Sequence, residues 1–160
     1  MIRRAPVSNP LSRPTLAALV LLGLWFGLDF VGAPRLVDRE PVMSLAGLML
    51  GLLVAFLVAG ACRTRFMAPV YSLALVVWIL LQVETHWSSY VFPASPAKLR
   101  WYDRVFGDHI HLLPSLPERT TPDAYHTTLA LLLLLNLALA IRDVFRRASP
   151  ASALEAGARA

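Results

Sequence analysis

Charged residues divide this chain into four long apolar stretches. Between their bounding charges the stretches have 21, 22, 18 and 18 residues, and Asp29 is the one acidic residue inside them. A hydrocarbon layer of about 30 Å is crossed by a helix of roughly 17 to 25 residues. We therefore predict four transmembrane helices, over residues 15–33, 41–62, 66–85 and 123–142.

The same pattern predicts an all-α fold. Barrel strands in a membrane alternate in hydrophobicity over segments of about 10 residues, and this chain has no such segments. We predict a single four-helix transmembrane domain over residues 1–147 and a disordered cytoplasmic tail over 148–160, which is rich in alanine and serine. A cleaved signal peptide is the less favoured interpretation of the first stretch, because Pro34 would follow the cleavage site.

Composition excludes several classes of protein. The chain is 57% apolar and 16% charged, whereas soluble domains carry about 25% charged residues. A single cysteine, Cys62, excludes an internal disulfide framework and a zinc or iron–sulfur site built on thiolates. The net charge of +5 is spread between the apolar stretches, so it favours membrane topology over binding of nucleic acid.

The distribution of basic residues predicts the orientation. With four spans both termini lie on one side, which would carry nine basic residues against six on the other side. The positive-inside rule then places the N- and C-termini in the cytoplasm. An arginine- and alanine-rich composition favours a bacterial-type inner (cytoplasmic) membrane.

The long loop over residues 86–122 contains a second kind of helix. Ser95 and Pro96 are typical of an N-cap followed by the first helical position, and Leu99, Tyr102 and Phe106 then recur at helical spacing. We predict a short amphipathic helix lying in the membrane interface between the third and fourth spans. It covers the bundle in the simplest interpretation, and substrate gating or partner docking are the alternatives.

Small residues predict where helices pack. Glycine and alanine recur every four residues in the first two spans, which lets helix backbones approach closely. These residues are Gly23, Gly27, Gly47, Gly51, Ala55 and Ala59. We expect them to join the first two helices, with a homodimer or a larger membrane complex as the alternative, and we expect Asn136 to hydrogen-bond to another helix.

Topology places several polar residues at one membrane face. The first span ends, the third ends and the fourth begins on the same side, whichever way the protein is oriented. The residues concerned are Asp29, Glu84, His86, Asp123 and His126, and the loop adds His109 and His111. Asp123 and His126 are three residues apart on a helix, so the carboxylate can orient the imidazole.

Three interpretations of this group compete. It can be a hydrated polar network that fastens the loop to the helices. His86, His126 and Glu84 can instead bind a divalent transition metal or haem, since imidazole suits zinc, copper, iron and nickel. In the third, His126 with Asp123 is a general base acting on a lipid or a quinone, and Asp29 would suit a role in ion or substrate passage.

The sequence as a whole favours a non-enzymatic role. It contains no nucleophile motif, no phosphate-binding glycine loop and no dinucleotide fingerprint. We expect a small polytopic membrane protein that acts as a structural, accessory or interaction subunit in contact with the lipid bilayer. The alternative is a metal- or cofactor-binding membrane protein, a lipid- or quinone-active enzyme, or a transporter subunit using Glu84, His86, Asp123 and His126.

Overall fold

The computed structural model describes residues 10–39, 43–64 and 66–145, and within these ranges the fold is all-helical. Extended pairing in the described residues is limited to two isolated bridges. The tail predicted over 148–160 lies outside the described residues. The helices, in chain order, are α1 (Arg13–Phe26), α2 (Leu28–Val31), α3 (Leu45–Ala61), α4 (Met67–Gln82), a π-helical turn (Val83–Trp87), α5 (Ser88–Val91), α6 (Pro96–Phe106) and α7 (Ala124–Phe145).

Three helical stretches are long and apolar enough to cross a membrane. They are Arg13–Val31 with 19 residues, Met67–Val91 with 25 and Ala124–Phe145 with 22. The remaining apolar helix, α3, has 17 residues. The described part of the chain is therefore compatible with a multi-pass membrane protein.

Two boundaries differ from those that the sequence predicts. Helix α3 begins only at Leu45, because the Ser44 hydroxyl accepts the Gly47 N–H at 3.3 Å and caps the helix there. The third predicted span, over 66–85, continues through the π-helical turn and α5 to Val91. His86 therefore lies within a helical stretch, and the connection to α7 begins at residue 92.

Helix α7 lies at the centre of the packing and contacts both α1 and α4, while α3 packs against α1. Asn136 of α7 is fully buried and joins three of these helices. Its side-chain oxygen accepts the Tyr71 hydroxyl at 2.8 Å, and its amide donates to the Ala18 carbonyl at 3.1 Å. Leucines surround this contact, so the polar group is satisfied inside an apolar core.

A close contact between α1 and α3 lies at Gly60, next to the last residue of the small-residue stripe. A Cβ placed on Gly60 would come within 2.8 Å of Leu16 Cδ2, whereas one placed on Gly23 or Gly51 would meet no atom within 4 Å outside its own helix. Leu16 of α1 thus fills this contact with α3, and two of the four residues of the α3 stripe, Gly51 and Ala55, are exposed.

Candidate functional site

Asp123 begins helix α7 and is the centre of the candidate site. Its side chain is fully buried, and Oδ1 accepts the His126 backbone N–H at 2.8 Å. An aspartate at this position satisfies one of the free N–H groups at a helix start, and its charge suits the positive end of the helix dipole. Asp123 is therefore the N-cap of α7.

Two imidazoles share the Asp123 carboxylate. His126 Nδ1 lies 2.8 Å from Oδ1, and His109 Nδ1 lies 2.9 Å from Oδ2. An ionised carboxylate can only accept hydrogen bonds, so both rings carry a proton on Nδ1. Each oxygen of this buried acid is thereby bound by N–H groups of the protein itself.

These contacts control the pKa of Asp123. Burial alone would raise the pKa of the carboxyl group, because it disfavours the charged form. The hydrogen bonds from His126 and His109 and the electrostatic attraction of His126 outweigh burial and lower the pKa from 3.8 to about 2. Asp123 is therefore a permanent anion under ordinary conditions.

His86 reaches the site through a local change of helix type. The π-helical turn Val83–Trp87 adds a residue to the turn and brings His86 inward, where it is 6% exposed. Its ring stacks on that of His126, with centroids 3.8 Å apart and planes inclined by 24°. The stacking thereby joins the end of the Met67–Val91 stretch to the start of α7.

Helix α6 covers the imidazoles with two aromatic side chains. Phe106 contacts His86, His109 and His126 edge-on, with ring centroids 5.3 to 5.7 Å apart. The Tyr102 hydroxyl lies 3.3 Å from His86 Nδ1. Burial and the Asp123 charge raise the pKa of the Tyr102 phenol, so it stays protonated and can donate to that nitrogen.

Backbone contacts fix the position of His109. The Ile110 N–H donates to the Arg35 carbonyl at 2.7 Å, and the Ala124 N–H donates to the Ile110 carbonyl at 2.6 Å. On its other side, His109 Nε2 faces the exposed Asp38 carboxylate at 3.7 Å. We call His86, His109, Asp123 and His126 the histidine–aspartate cluster.

The structure separates the remaining sequence candidates from this cluster. Glu84 is exposed, although it is only two residues from His86, because the helical turn directs the two side chains differently. Asp29 is buried and interacts electrostatically with Tyr125 instead. His111 pairs through its backbone with Asp123, but its side chain lines a separate cavity.

The geometry bears on metal binding. In the described ranges, no group of three or more histidine, cysteine, aspartate or glutamate side chains is placed to hold a metal ion. Stacked imidazoles also direct their ring nitrogens along nearly parallel lines and not toward one point. The interpretation in which Glu84, His86 and His126 share a metal therefore gains no support from the arrangement.

Sequence reasoning missed three members of the site. Tyr102 and Phe106 were expected only as the apolar face of the amphipathic helix, although aromatic residues four apart on that face are also suited to cover imidazoles. Asp38 carries no sequence signal, because its approach to His109 depends on the path of the loop after α2.

The cluster can do two things chemically. It fastens the start of α7 and the segment around His109 to one buried anion, and it holds the end of the Met67–Val91 stretch through the stacking of His86 on His126. It also holds a proton on Nδ1 of His109 and of His126, and an imidazole held in a fixed position is a precondition for acid–base chemistry. Comparison with models of protein families, with curated proteins and with solved structures yields no match to this chain.

Proposed function

We propose that this chain is a four-span membrane protein in which α3 supplies the span beside the three longer stretches. Helix α3 starts after the turn that follows α2, and its Gly60 lies against Leu11 and Leu16 at the other end of α1. It therefore runs antiparallel to α1 over most of its length. At 1.5 Å per residue, 17 residues extend about 25 Å, which is close to a hydrocarbon thickness of about 30 Å.

Four spans place both termini on one side, and we propose the cytoplasmic side of a bacterial-type inner membrane. The excess of arginine on the side of the termini supports this orientation. Reporter fusions after Thr64, after Gly107 and at the C-terminus test it. We expect a cytoplasmic signal at the first and third positions and an external signal at the second, and any other pattern contradicts the topology.

We further propose a non-enzymatic role, as a structural, accessory or interaction subunit. The observation that carries this proposal is the internal bonding of Asp123, which is 0% exposed and bound on both oxygens by N–H groups of its own chain. A carboxylate bound in this way serves to hold the start of α7 and the segment around His109 together. Because it is shielded from solvent, a substrate or a metal could reach it only by displacing the side chains around it.

Metal analysis and an absorption spectrum of the full-length protein in detergent test this role. We expect neither a stoichiometric transition metal nor a haem band. One bound metal or haem per chain that disappears in both His86→Ala and His126→Ala would overturn the proposal. It would favour the alternative of a metal- or cofactor-binding membrane protein.

The outward face of α3 supports an interaction role. Gly51 and Ala55 are exposed on a helix that packs against α1 on its other side, and small residues let a second transmembrane helix approach closely. We propose that this face contacts another copy of the chain, as part of a homodimer or a larger complex.

Cysteine cross-linking tests this contact. Cys62 is the only cysteine and is exposed, so Cys62→Ser gives a background without thiols. In that background we expect Gly51→Cys to form disulfide-linked dimers in membranes. The matched control is Leu73→Cys, an exposed position on α4, where we expect none. Equal cross-linking at both positions, or none at Gly51→Cys, contradicts the homodimer.

A further inference from the structure

A cavity of about 500 Å³ lies between α6 and the segment that leads to α7. It is separate from the histidine–aspartate cluster, with Tyr102 and Phe106 lying between the two. Cavities of about 300 to 1,000 Å³ are typical of sites for small molecules. The polar side chains that line it are those of Arg100, Tyr102, Asp103, His111, Ser115, Arg119, Thr120 and Thr121.

The charge in this cavity is positive. Arg100 and Arg119 contribute two guanidinium groups, and Asp103 contributes the single carboxylate of the lining. Among residues 10–39, 43–64 and 66–145, Arg100 makes no ion pair. A cavity lined by two arginines, one of them without an ion pair, favours the binding of an anion. The planar guanidinium group can bind carboxylate or phosphate through two hydrogen bonds.

One of the two arginines is held in place by the protein. Arg119 Nη1 donates to the Val91 carbonyl at 2.6 Å and to the Tyr90 carbonyl at 3.3 Å. Next to it, the Thr120 hydroxyl and the Ser89 hydroxyl form a buried hydrogen bond of 2.8 Å. Because these contacts fix the wall of the cavity, a ligand would not need to order Arg119 when it binds.

His111 adds an imidazole to the lining of the cavity. Its Nδ1 is shielded from solvent, so the ring would meet a ligand through Nε2. Imidazole can donate to the oxygen of an anion, as the hydroxyls of Ser115 and Thr121 in the same lining can.

The position of the cavity indicates the class of anion. Arg119 binds the last carbonyls of the Met67–Val91 stretch, and Thr121 lies three residues before α7. Both apolar stretches end at this level, which in a bilayer is the level of the headgroups. Phosphate is the anion that membrane lipids present there, and basic pockets beside transmembrane helices bind such headgroups.

We propose that the cavity lined by Arg100, His111 and Arg119 binds a phosphate group, carried either by a membrane lipid or by a water-soluble phosphate compound. Arg100 and Arg119 bind the phosphate oxygens, and His111 donates a further hydrogen bond. This binding is independent of the role proposed for the histidine–aspartate cluster.

Two binding measurements on the full-length protein, freed of lipid in neutral detergent, separate the sources. Native mass spectrometry compares phosphatidylglycerol with diacylglycerol of the same acyl chains, which lacks the phosphate. Thermal unfolding compares sodium phosphate with sodium chloride at equal ionic strength, since a bound ligand raises the unfolding temperature in a saturable way. Saturable binding in either arm supports the proposal and identifies the source.

Arg100→Gln is the test variant, and Arg104→Gln is its matched control. Arg104 is an exposed arginine one turn further along α6 that does not line the cavity. Arg119 is a poorer choice, because its loss would also free the Tyr90 and Val91 carbonyls and destabilise the fold. We expect Arg100→Gln to weaken binding about tenfold or more and Arg104→Gln to change it less than about threefold.

Two results would overturn the proposal. One is the absence of saturable binding in both arms. The other is equal weakening in Arg100→Gln and Arg104→Gln, which would indicate a general attraction to positive charge and no site. Matching circular dichroism and elution volumes of the two variants establish that both fold.

Discussion

Helix α7 has a buried aspartate at each end, and the two are satisfied in different ways. Asp123 at its start is bound by two imidazoles and one backbone N–H. Asp143 in its last turn accepts the Ser12 backbone N–H at 2.7 Å and the Thr15 hydroxyl at 2.6 Å. One carboxylate thus depends mainly on imidazole side chains, and the other depends on a backbone amide and a hydroxyl.

Both buried carboxylates need hydrogen-bond donors in place of water, and the two ends of α7 obtain those donors from different parts of the protein. A carboxylate removed from water needs several hydrogen-bond donors. At the Asp143 end, the free N–H groups at the start of α1 provide one of them, so the acid also acts as a cap for that helix. At the Asp123 end, the donors lie 3 and 14 residues away, so that acid fastens the start of α7 to the loop before it, whereas the donors to Asp143 lie 128 and 131 residues away and join α7 to α1.

The largest effect is expected from Asp123→Asn. The asparagine side chain lacks the charge that both imidazoles face. Its NH2 group also places a donor opposite an N–H group that needs an acceptor. We expect the free energy of unfolding to fall by about 3 to 5 kcal/mol, as when one member of a buried charged pair is lost. Unfolding in mixed micelles measures it. The control is Asp108→Asn, at an exposed position, which should change stability by less than about 0.5 kcal/mol. An equally small effect of Asp123→Asn would contradict the central role of Asp123.

The second largest effect is expected in the acid dependence of stability, which should differ between Asp123→Asn and Asp143→Asn. Since folding lowers the pKa of Asp123 from 3.8 to about 2, its contacts stabilise the folded state fully above about pH 4. That contribution is lost as the pH falls through 2, and it amounts to about 2 kcal/mol. Unfolding curves from pH 6 to 2 should show the advantage of the wild type over Asp123→Asn shrinking by this amount. Asp143→Asn, which keeps Asp123, should retain the decline, and a constant difference between the wild type and Asp123→Asn would refute the assignment.

A smaller loss is expected from Asp143→Asn. Both donors bind Oδ2 of Asp143, so an asparagine oxygen in that place can still accept both, but the variant loses the negative charge that strengthens these bonds and weakens the α1 cap. We expect a loss of about 1 to 2 kcal/mol, measured in the same micelles. Thr15→Val removes only the hydroxyl donor and should lose less. A loss at Asp143 as large as that at Asp123 would mean that the two ends do not differ.

Much of this arrangement follows from the sequence. The apolar stretches predict the helices, and topology alone brings Asp123, His126 and the region of His86 to one end. The spacing of Asp123 and His126 on a helix predicts their contact. Ser12 and Asp143 also fall at a common level in that topology, so their pairing could have been inferred from the same reasoning.

The rest depends on features that periodicity does not encode. The π-helical turn changes the direction of His86 by inserting one residue, and no pattern of apolar residues marks it. His109 meets Asp123 because the backbone at Ile110 is held between Arg35 and Ala124, which is a property of the loop path. By contrast, helical spacing itself directs Glu84 and His86, two residues apart, to different sides, which weakens a metal site that uses both, and the structure leaves Glu84 exposed.

The smallest effect is expected from Tyr102→Phe, which tests whether helix α6 holds the cluster by polar contact or by packing. The change keeps the ring that lies against Phe106 and removes only the hydroxyl, whose distance of 3.3 Å from His86 Nδ1 indicates a weak hydrogen bond. We expect a loss of about 0.5 to 1 kcal/mol. Phe106→Leu, which removes the ring shared by three imidazoles, should lose more, because aromatic contacts add to the burial of the side chain. If Tyr102→Phe proved the more damaging of the two, the hydroxyl would be an essential donor to His86, and α6 would be a polar partner of the cluster in addition to its cover.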